Sequence, residues 1–223
     1  VFLARHGISA VEFDVCRISD GRSVVAHPSS IDKGTSDSAI PFERFLEACR
    51  ALDVDMFIDV KLIGGKLDEE LPESLVQAVT KADCSDRVVV ISRSEELLSR
   101  FRGTLLTGHI MSEIRSQSTC SCDMLLVPLA RLSNDTVLAQ TRGKKLVATQ
   151  VAVSDIGLVQ HHKLKDIMTD HAIEIAQALR RSIRSIPQER PSDPGNEDLA
   201  GSGNLARRQS WSDTSHRITA PKL

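Results

Sequence analysis

Short apolar runs alternate with amphipathic, helix-like segments along this 223-residue chain almost to residue 182. That rhythm constrains the fold more than any single residue does. Val11–Val15, Ser23–Ala26, Met56–Val60, Arg87–Ile91, Leu105–Gly108, Met124–Val127, Leu146–Val151 and Asp166–Met168 each have the length and composition of a strand. Between them, apolar residues recur at helical spacing. Phe42, Phe45, Leu46, Cys49 and Leu52 share one face of Pro41–Leu52, and Glu70–Ala82 and Ser94–Arg102 behave alike. Ser94 before Glu95 and Glu96 reads as an N-cap with an acidic first turn. Strand–helix alternation of this kind calls for parallel strands with helical crossovers, the α/β class.

Composition shifts near Ser185, where Pro, Gly and Ser accumulate and periodic apolar residues stop. Such a stretch cannot bury enough surface to offset its ordering entropy. The expected organisation is therefore one domain over 1–183 and a disordered polar tail over 184–223, with a basic-basic-x-Ser kinase-like site at Arg207–Ser210. At the other end the chain opens on Val1, and Phe2–Gly7 reads as the tail of a helix capped by Gly7. Targeting segments lie upstream of such a point, so this end says nothing about them.

Lys and Arg number 28 against 30 Asp and Glu, without the basic face of a nucleic-acid binder. No apolar run reaches the ~18–20 residues that span a bilayer. The short amphipathic helices allow peripheral membrane contact but lack the basic-plus-aromatic face that would require it. The five cysteines are an odd count without a regular framework, which favours a reducing, cytoplasmic setting. Cys120-Ser121-Cys122 is too close and too isolated for a zinc site.

The chemistry concentrates on two strands. Side chains alternate faces along a strand, so Glu12 and Asp14 emerge together while Val11, Phe13 and Val15 take the other side. Paired carboxylates repel unless something positive lies between them, and a divalent cation is the usual answer. Asp20-Gly21 is a turn signal that would bring the next strand, ending at His27, alongside. Asp59 and Lys61 likewise share a face of Met56–Lys61. Alone they would simply pair with each other. Beside Glu12, Asp14 and His27 they suit a Mg²⁺ or Ca²⁺ ion with an anionic substrate against the lysine.

Glu12-x-Asp14-Val15, the Asp20-Gly21 turn, Val24-Val25-x-His27, Asp59-x-Lys61 and a terminal Ile167-Met168-Thr169-Asp170, in that order, resemble the glycerophosphodiester phosphodiesterase family. The likeness runs from about Val1 to Leu179. It implies a (βα)8 TIM barrel of the phospholipase C-like phosphodiesterase type that cleaves glycerophosphodiesters with one divalent cation, Mg²⁺ or Ca²⁺. Carried over, Glu12, Asp14 and Asp59 resemble the metal ligands. His27 resembles the histidine that protonates the leaving alcohol, and Lys61 the lysine that holds the phosphate. Barrel active sites lie at the C-terminal ends of the strands, where these residues fall.

The chain departs from the family pattern in places. The family opens with a His-Arg-Gly strand end that carries a second catalytic histidine, and Arg5-His6-Gly7 lies too close to Glu12 to be that motif. The first strand and most of the first helix are thus expected to be missing. An aspartate at 59, and a short segment between His27 and Asp59, are closer to the sphingomyelinase D-like phospholipases of the same barrel superfamily. The family's late tryptophan-bearing strand reads Ala148–Val151 here, and Trp211 is in the tail. The leading expectation is a metal-dependent phosphoric diester hydrolase acting on a glycerophosphodiester or lysophospholipid. The alternatives are a phospholipase that forms a cyclic phosphate, or a catalytically inactive binder of phosphate or lipid head groups. No specific protein partner is expected.

Overall fold

A computed structural model describes residues 5–31, 39–62, 68–111, 121–132, 143–184 and 217–220. Ten strands are seen: β1 (Ile8–Arg17), β2 (Ser23–Val25), β3 (Ile40–Pro41), β4 (Asp55–Val60), β5 (Val88–Ser92), β6 (Leu106–Ile110), β7 (Met124–Pro128), β8 (Lys145–Thr149), β9 (Asp166–Met168) and β10 (Arg217–Ala220). Parallel pairings run β1–β4–β5–β6–β7–β8–β9–β10, and β10 pairs in turn with β1. Eight parallel strands thus form a ring. β2 and β3 stand outside it as an antiparallel arm on the C-terminal half of β1.

The helices are α1 (Pro28–Ile31), α2 (Phe42–Leu52), α3 (Leu71–Lys81), α4 (Glu95–Ser99), α5 (Ile156–His161) and α6 (Ala172–Arg184). The expected strands are all present, with ends displaced by up to three residues. β8 stops at Thr149 because Gln150 takes a left-handed backbone, φ 57°. α4 is shorter than its pattern suggested, and a run of turns follows it to Gly103, φ 79°. Ser94 caps α4 as expected, its side chain accepting from the Leu97 N–H at 3.2 Å.

Two expectations need correction. Arg217–Ala220 was assigned to a disordered tail but is a strand, hydrogen-bonded on both sides. The ring is therefore not short of a strand. Its eighth member comes from the C-terminal end of the chain and occupies the place beside β1. Backbone pairing needs only an extended segment between two open edges, which hydrophobic periodicity over four residues cannot announce. Cys120, Ser210, Trp211 and the tail over 185–216 lie outside the described residues.

Alternation along the strands divides the apolar side chains into two layers. Ala10, Phe57, Val89, Ile91, Met124, Leu126 and Val147 pack inside the ring. Val11, Phe13, Val15, Met56, Ile58, Val60, Val88, Val90, Leu125, Val127 and Ala148 face outward onto the helices. An irregularity in register between Ile8 and Ala10 shifts Ile8 into the outer layer. Inside the ring Gly108 leaves no room for more: a Cβ there would come within 2.7 Å of Leu126 Cδ1.

The outer layer fixes the orientation of the strand that matters most. Phe13 is 1% exposed and packs on α2, with ring centroids 4.5 Å from Phe45 and 6.5 Å from Phe42. Burying a phenylalanine contributes roughly 1.5–3 kcal/mol. With Phe13 committed outward, Glu12 and Asp14 on either side of it must point into the ring. Leu52, at the last position of α2, is turned to solvent instead of joining this face.

Candidate active site at the C-terminal mouth of the barrel

β1 and β4 lie side by side with Asp14 opposite Asp59 and Glu12 opposite Phe57. Glu12, Asp14 and Asp59 are 6, 6 and 7% exposed, and each offers a carboxylate oxygen within 4.8 Å of the others. Lys61 follows β4, its N–H bonded to the Val15 carbonyl at 2.8 Å. Its Nζ hydrogen-bonds Asp59 Oδ2 and lies 3.3 Å from Asp14 Oδ1. Burial alone would lower the Lys61 pKa. The Asp59 hydrogen bond and charge, with the charge of Asp14, outweigh it and hold the ammonium above its ordinary value. Lys61 is therefore a fixed cation at neutral pH.

Three carboxylates against one ammonium leave two negative charges in a place mostly shielded from water. Hard oxygen donors on either side of a Ca²⁺ or Mg²⁺ ion sit roughly 4–5 Å apart, and the 4.8 Å span of this cluster matches that. The donor set fits a hard divalent cation.

A cavity of about 220 Å³ opens beside the cluster. Its floor is Ile91, Ile110, Leu126 and Met168, and Glu12, Asp59, Lys61, Arg93, Gln150 and Asp170 are among its polar walls. Of the residues expected to act together, Glu12, Asp14, Asp59 and Lys61 are brought together. His27 comes from the arm beside β1. It lies just past β2, next to Ala26, whose N–H bonds the Asp14 carbonyl at 3.1 Å. The imidazole is exposed, its Nδ1 accepting from the Ser29 N–H at 3.2 Å and lying 2.7 Å from Ser29 Oγ. It is not among the residues that line the cavity.

His109 is turned away as well. Gly108 and Ile110 face inward, so His109 points out, with Nε2 donating to the Arg93 carbonyl at 3.3 Å and Nδ1 3.7 Å from Glu95. Further along the face of β1 that carries Glu12 and Asp14, burial and then the Asp14 charge raise the Cys16 thiol to about 11. It stays protonated and unreactive at neutral pH.

Arg93 was not singled out in the sequence, while Gln150 stood only within Ala148–Val151 and Asp170 only as the end of the Ile167–Asp170 motif, neither with a role in the site. Strand parity could have found two of them. Ile91 and Met168 point inward, and two residues further on come Arg93 and Asp170.

No family model and no curated protein matches this sequence. Solved structures do match in shape. A glycerophosphodiester phosphodiesterase from Parabacteroides distasonis superposes with a TM-score of 0.67 at 17% identity, covering 81% of this chain and 87% of its own. Another, from Thermotoga maritima, gives 0.60 at 15% identity, covering 81% and 88%. An Oleispira antarctica phosphodiesterase in complex with the product sn-glycerol-3-phosphate gives 0.63 at 18% identity, covering 80% and 88%. The strand ring that carries the buried carboxylates thus has the TIM-barrel fold of the glycerophosphodiester phosphodiesterases.

Proposed function

We propose that this chain is a divalent-metal-dependent phosphoric diester hydrolase acting on glycerophosphodiesters. One observation carries the reading: three buried carboxylates and a lysine converge at the C-terminal mouth of a barrel shaped like the glycerophosphodiester phosphodiesterases. Glu12, Asp14 and Asp59 would hold Mg²⁺ or Ca²⁺. When bound, such an ion supplies Lewis-acid polarisation of a phosphoryl oxygen.

The chain's own groups do the rest. The carboxylates fix the position of the ion, and Lys61 adds a fixed positive charge beside the phosphoryl oxygens. The apolar floor of Ile91, Ile110, Leu126 and Met168 excludes water from below. His27 delivers the proton to the leaving alcohol through Nε2, because Nδ1 is engaged with Ser29. Residues 1–183 together with the closing strand would form the catalytic unit, and head groups of the lysophospholipid kind are within its scope. Among the described residues no helix is long and apolar enough to cross a membrane.

A second reading is favoured by the position of His27. No histidine lines the cavity among the described residues, so the chain would bind a phosphate or head group without cleaving it. The test is release of glycerol 3-phosphate from glycerophosphocholine with Mg²⁺ or Ca²⁺, alongside calorimetric titration with the same compound. Metal-dependent turnover that Asp14→Asn abolishes and His27→Ala reduces at least a hundredfold supports the hydrolase. Binding without turnover supports the second reading, and neither binding nor turnover overturns both.

A further inference from the structure

Of the two cations on the wall of the C-terminal cavity, one is already committed. Lys61 is held by Asp59 and Asp14. With a divalent ion among Glu12, Asp14 and Asp59, three negative charges meet three positive ones, and the cluster is neutral before any substrate arrives. A phosphodiester monoanion entering that site still needs a counter-charge.

Arg93 is placed to supply it. The last pair of the β4–β5 ladder is Asp59 with Ile91. Two residues further on, just past the ends of these neighbouring strands, come Lys61 and Arg93, and both line the cavity. The backbone around Arg93 is pinned on both sides. Its carbonyl accepts from His109 Nε2 at 3.3 Å, and Ser92, 4% exposed, accepts the Ser94 N–H at 3.2 Å before α4 begins. Arg93 is an exposed residue that lines the cavity, and among the described residues no ion pair to a carboxylate is found for it. Arg17, Arg22, Arg87 and Arg100, by contrast, are each paired with carboxylates. Two cations on one cavity wall, one held by carboxylates and one with no carboxylate partner among the described residues, form a site for an anion.

We propose that Arg93 binds the diester phosphate of the substrate, its planar fork meeting two non-bridging phosphoryl oxygens beside Lys61. This rests on the hydrolase reading and deepens it. Arg93 sets substrate affinity, while the carboxylates set metal binding. Asp170 stands across the mouth, since β9 is four strands from β5 around the ring of eight. Its negative charge keeps the phosphate on the Arg93 side.

The experiment compares the wild-type chain with Arg93→Ala and Arg93→Lys. Titration of glycerol 3-phosphate into Mg²⁺-loaded protein should show about a tenfold or larger loss of affinity for Arg93→Ala, with partial recovery in Arg93→Lys. Mg²⁺ affinity, measured with no anion present, should be unchanged by either substitution. In steady-state assays KM should rise with little change in kcat. Wild-type binding retained by Arg93→Ala would overturn the role of Arg93 while leaving the hydrolase reading intact. A wild-type chain that binds neither glycerol 3-phosphate nor diester would overturn both. Loss of Mg²⁺ affinity in Arg93→Ala would also overturn the assignment, since the residue would then be supporting the metal cluster.

Discussion

The two ends of the barrel are built from the same kinds of side chain and reach opposite results. At the N-terminal end, inward positions carry Asp55 on β4, Lys145 on β8 and Asp166 on β9, with Arg87 at the start of β5. There Lys145 meets Asp166 at 3.4 Å, and Arg87 meets Asp53 at 2.8 Å and Asp55 at 3.9 Å. The space left among them is about 10 Å³. At the C-terminal end three carboxylates share one lysine and a cavity of about 220 Å³ stands open. Acids outnumber cations at both ends, and at the closed end Asp53, Asp55, Asp86 and Asp166 surround Arg87 and Lys145 with almost no space left among them. At the open end the excess acid adjoins a cavity that can receive a ligand. The difference separates residues that hold the fold from residues that tax it, as expected where catalytic machinery sits on a stable scaffold.

The sharpest way to break this comparison is to neutralise one carboxylate at the open end. Glu12→Gln should lower metal-dependent turnover at least a thousandfold, because a ligand oxygen charge is removed from the donor set. The same substitution should raise the thermal midpoint of the metal-free protein, since it relieves like-charge repulsion worth on the order of 1 kcal/mol. Adding Mg²⁺ or Ca²⁺ should stabilise the wild-type chain by about 2.7 kcal/mol at a hundred times its Kd, and Glu12→Gln far less. Differential scanning fluorimetry with and without EDTA reads both effects. A metal-free Glu12→Gln protein that melts below wild type would show that the open-end carboxylates carry no net repulsion for a cation to relieve.

How much of this was legible beforehand depended on the period of the signal. Strand alternation is strict, so Glu12 with Asp14, and Asp59 with Lys61, could be put on common faces from sequence alone. Whether two such strands are neighbours is a matter of topology, and the ordered motifs supplied it through a resemblance. His27 shows where that route ends. Its spacing from Glu12 was right for the motif, but its position depends on an arm outside the ring and on a local bond to Ser29. β10 was missed for a related reason. Four residues flanked by polar, Gly-rich sequence carry no periodicity, and their pairing partners are some two hundred residues away at Ile8–Val11. Arg93 and Asp170 were within reach of parity reasoning, since each continues an inward row past its strand end.

A smaller effect tests the layer that separates the two ends. Gly108 sits inside the ring with Leu126, Ile91 and Met124 already at contact distance. Gly108→Val adds three carbons to that layer, and overpacking of this kind costs about 1–3 kcal/mol. The strain should be shared by both ends. Urea denaturation should show a lower midpoint with an unchanged m-value, and Mg²⁺ should still stabilise the variant. A variant as stable as wild type would mean the interior is loosely filled, and the contrast in volume between the ends would lose its meaning.

The smallest expected change lies at the closed end. Asp166→Asn removes one partner of Lys145, whose side chain is 29% exposed against 15% for Asp166. Partly solvated pairs contribute about 0–1 kcal/mol, so the midpoint should fall by that much or less, opposite in sign to Glu12→Gln. Raising the salt concentration should shrink the difference, because the pair is open to screening. Turnover and metal affinity should not change, since Asp166 and the carboxylate cluster lie at opposite ends of the same ring. If Asp166→Asn instead stabilised the chain, the ion pairs of the N-terminal end would not offset the repulsion among its acids. Relief of repulsion on neutralising a carboxylate would then no longer single out the C-terminal mouth, because both ends would show it.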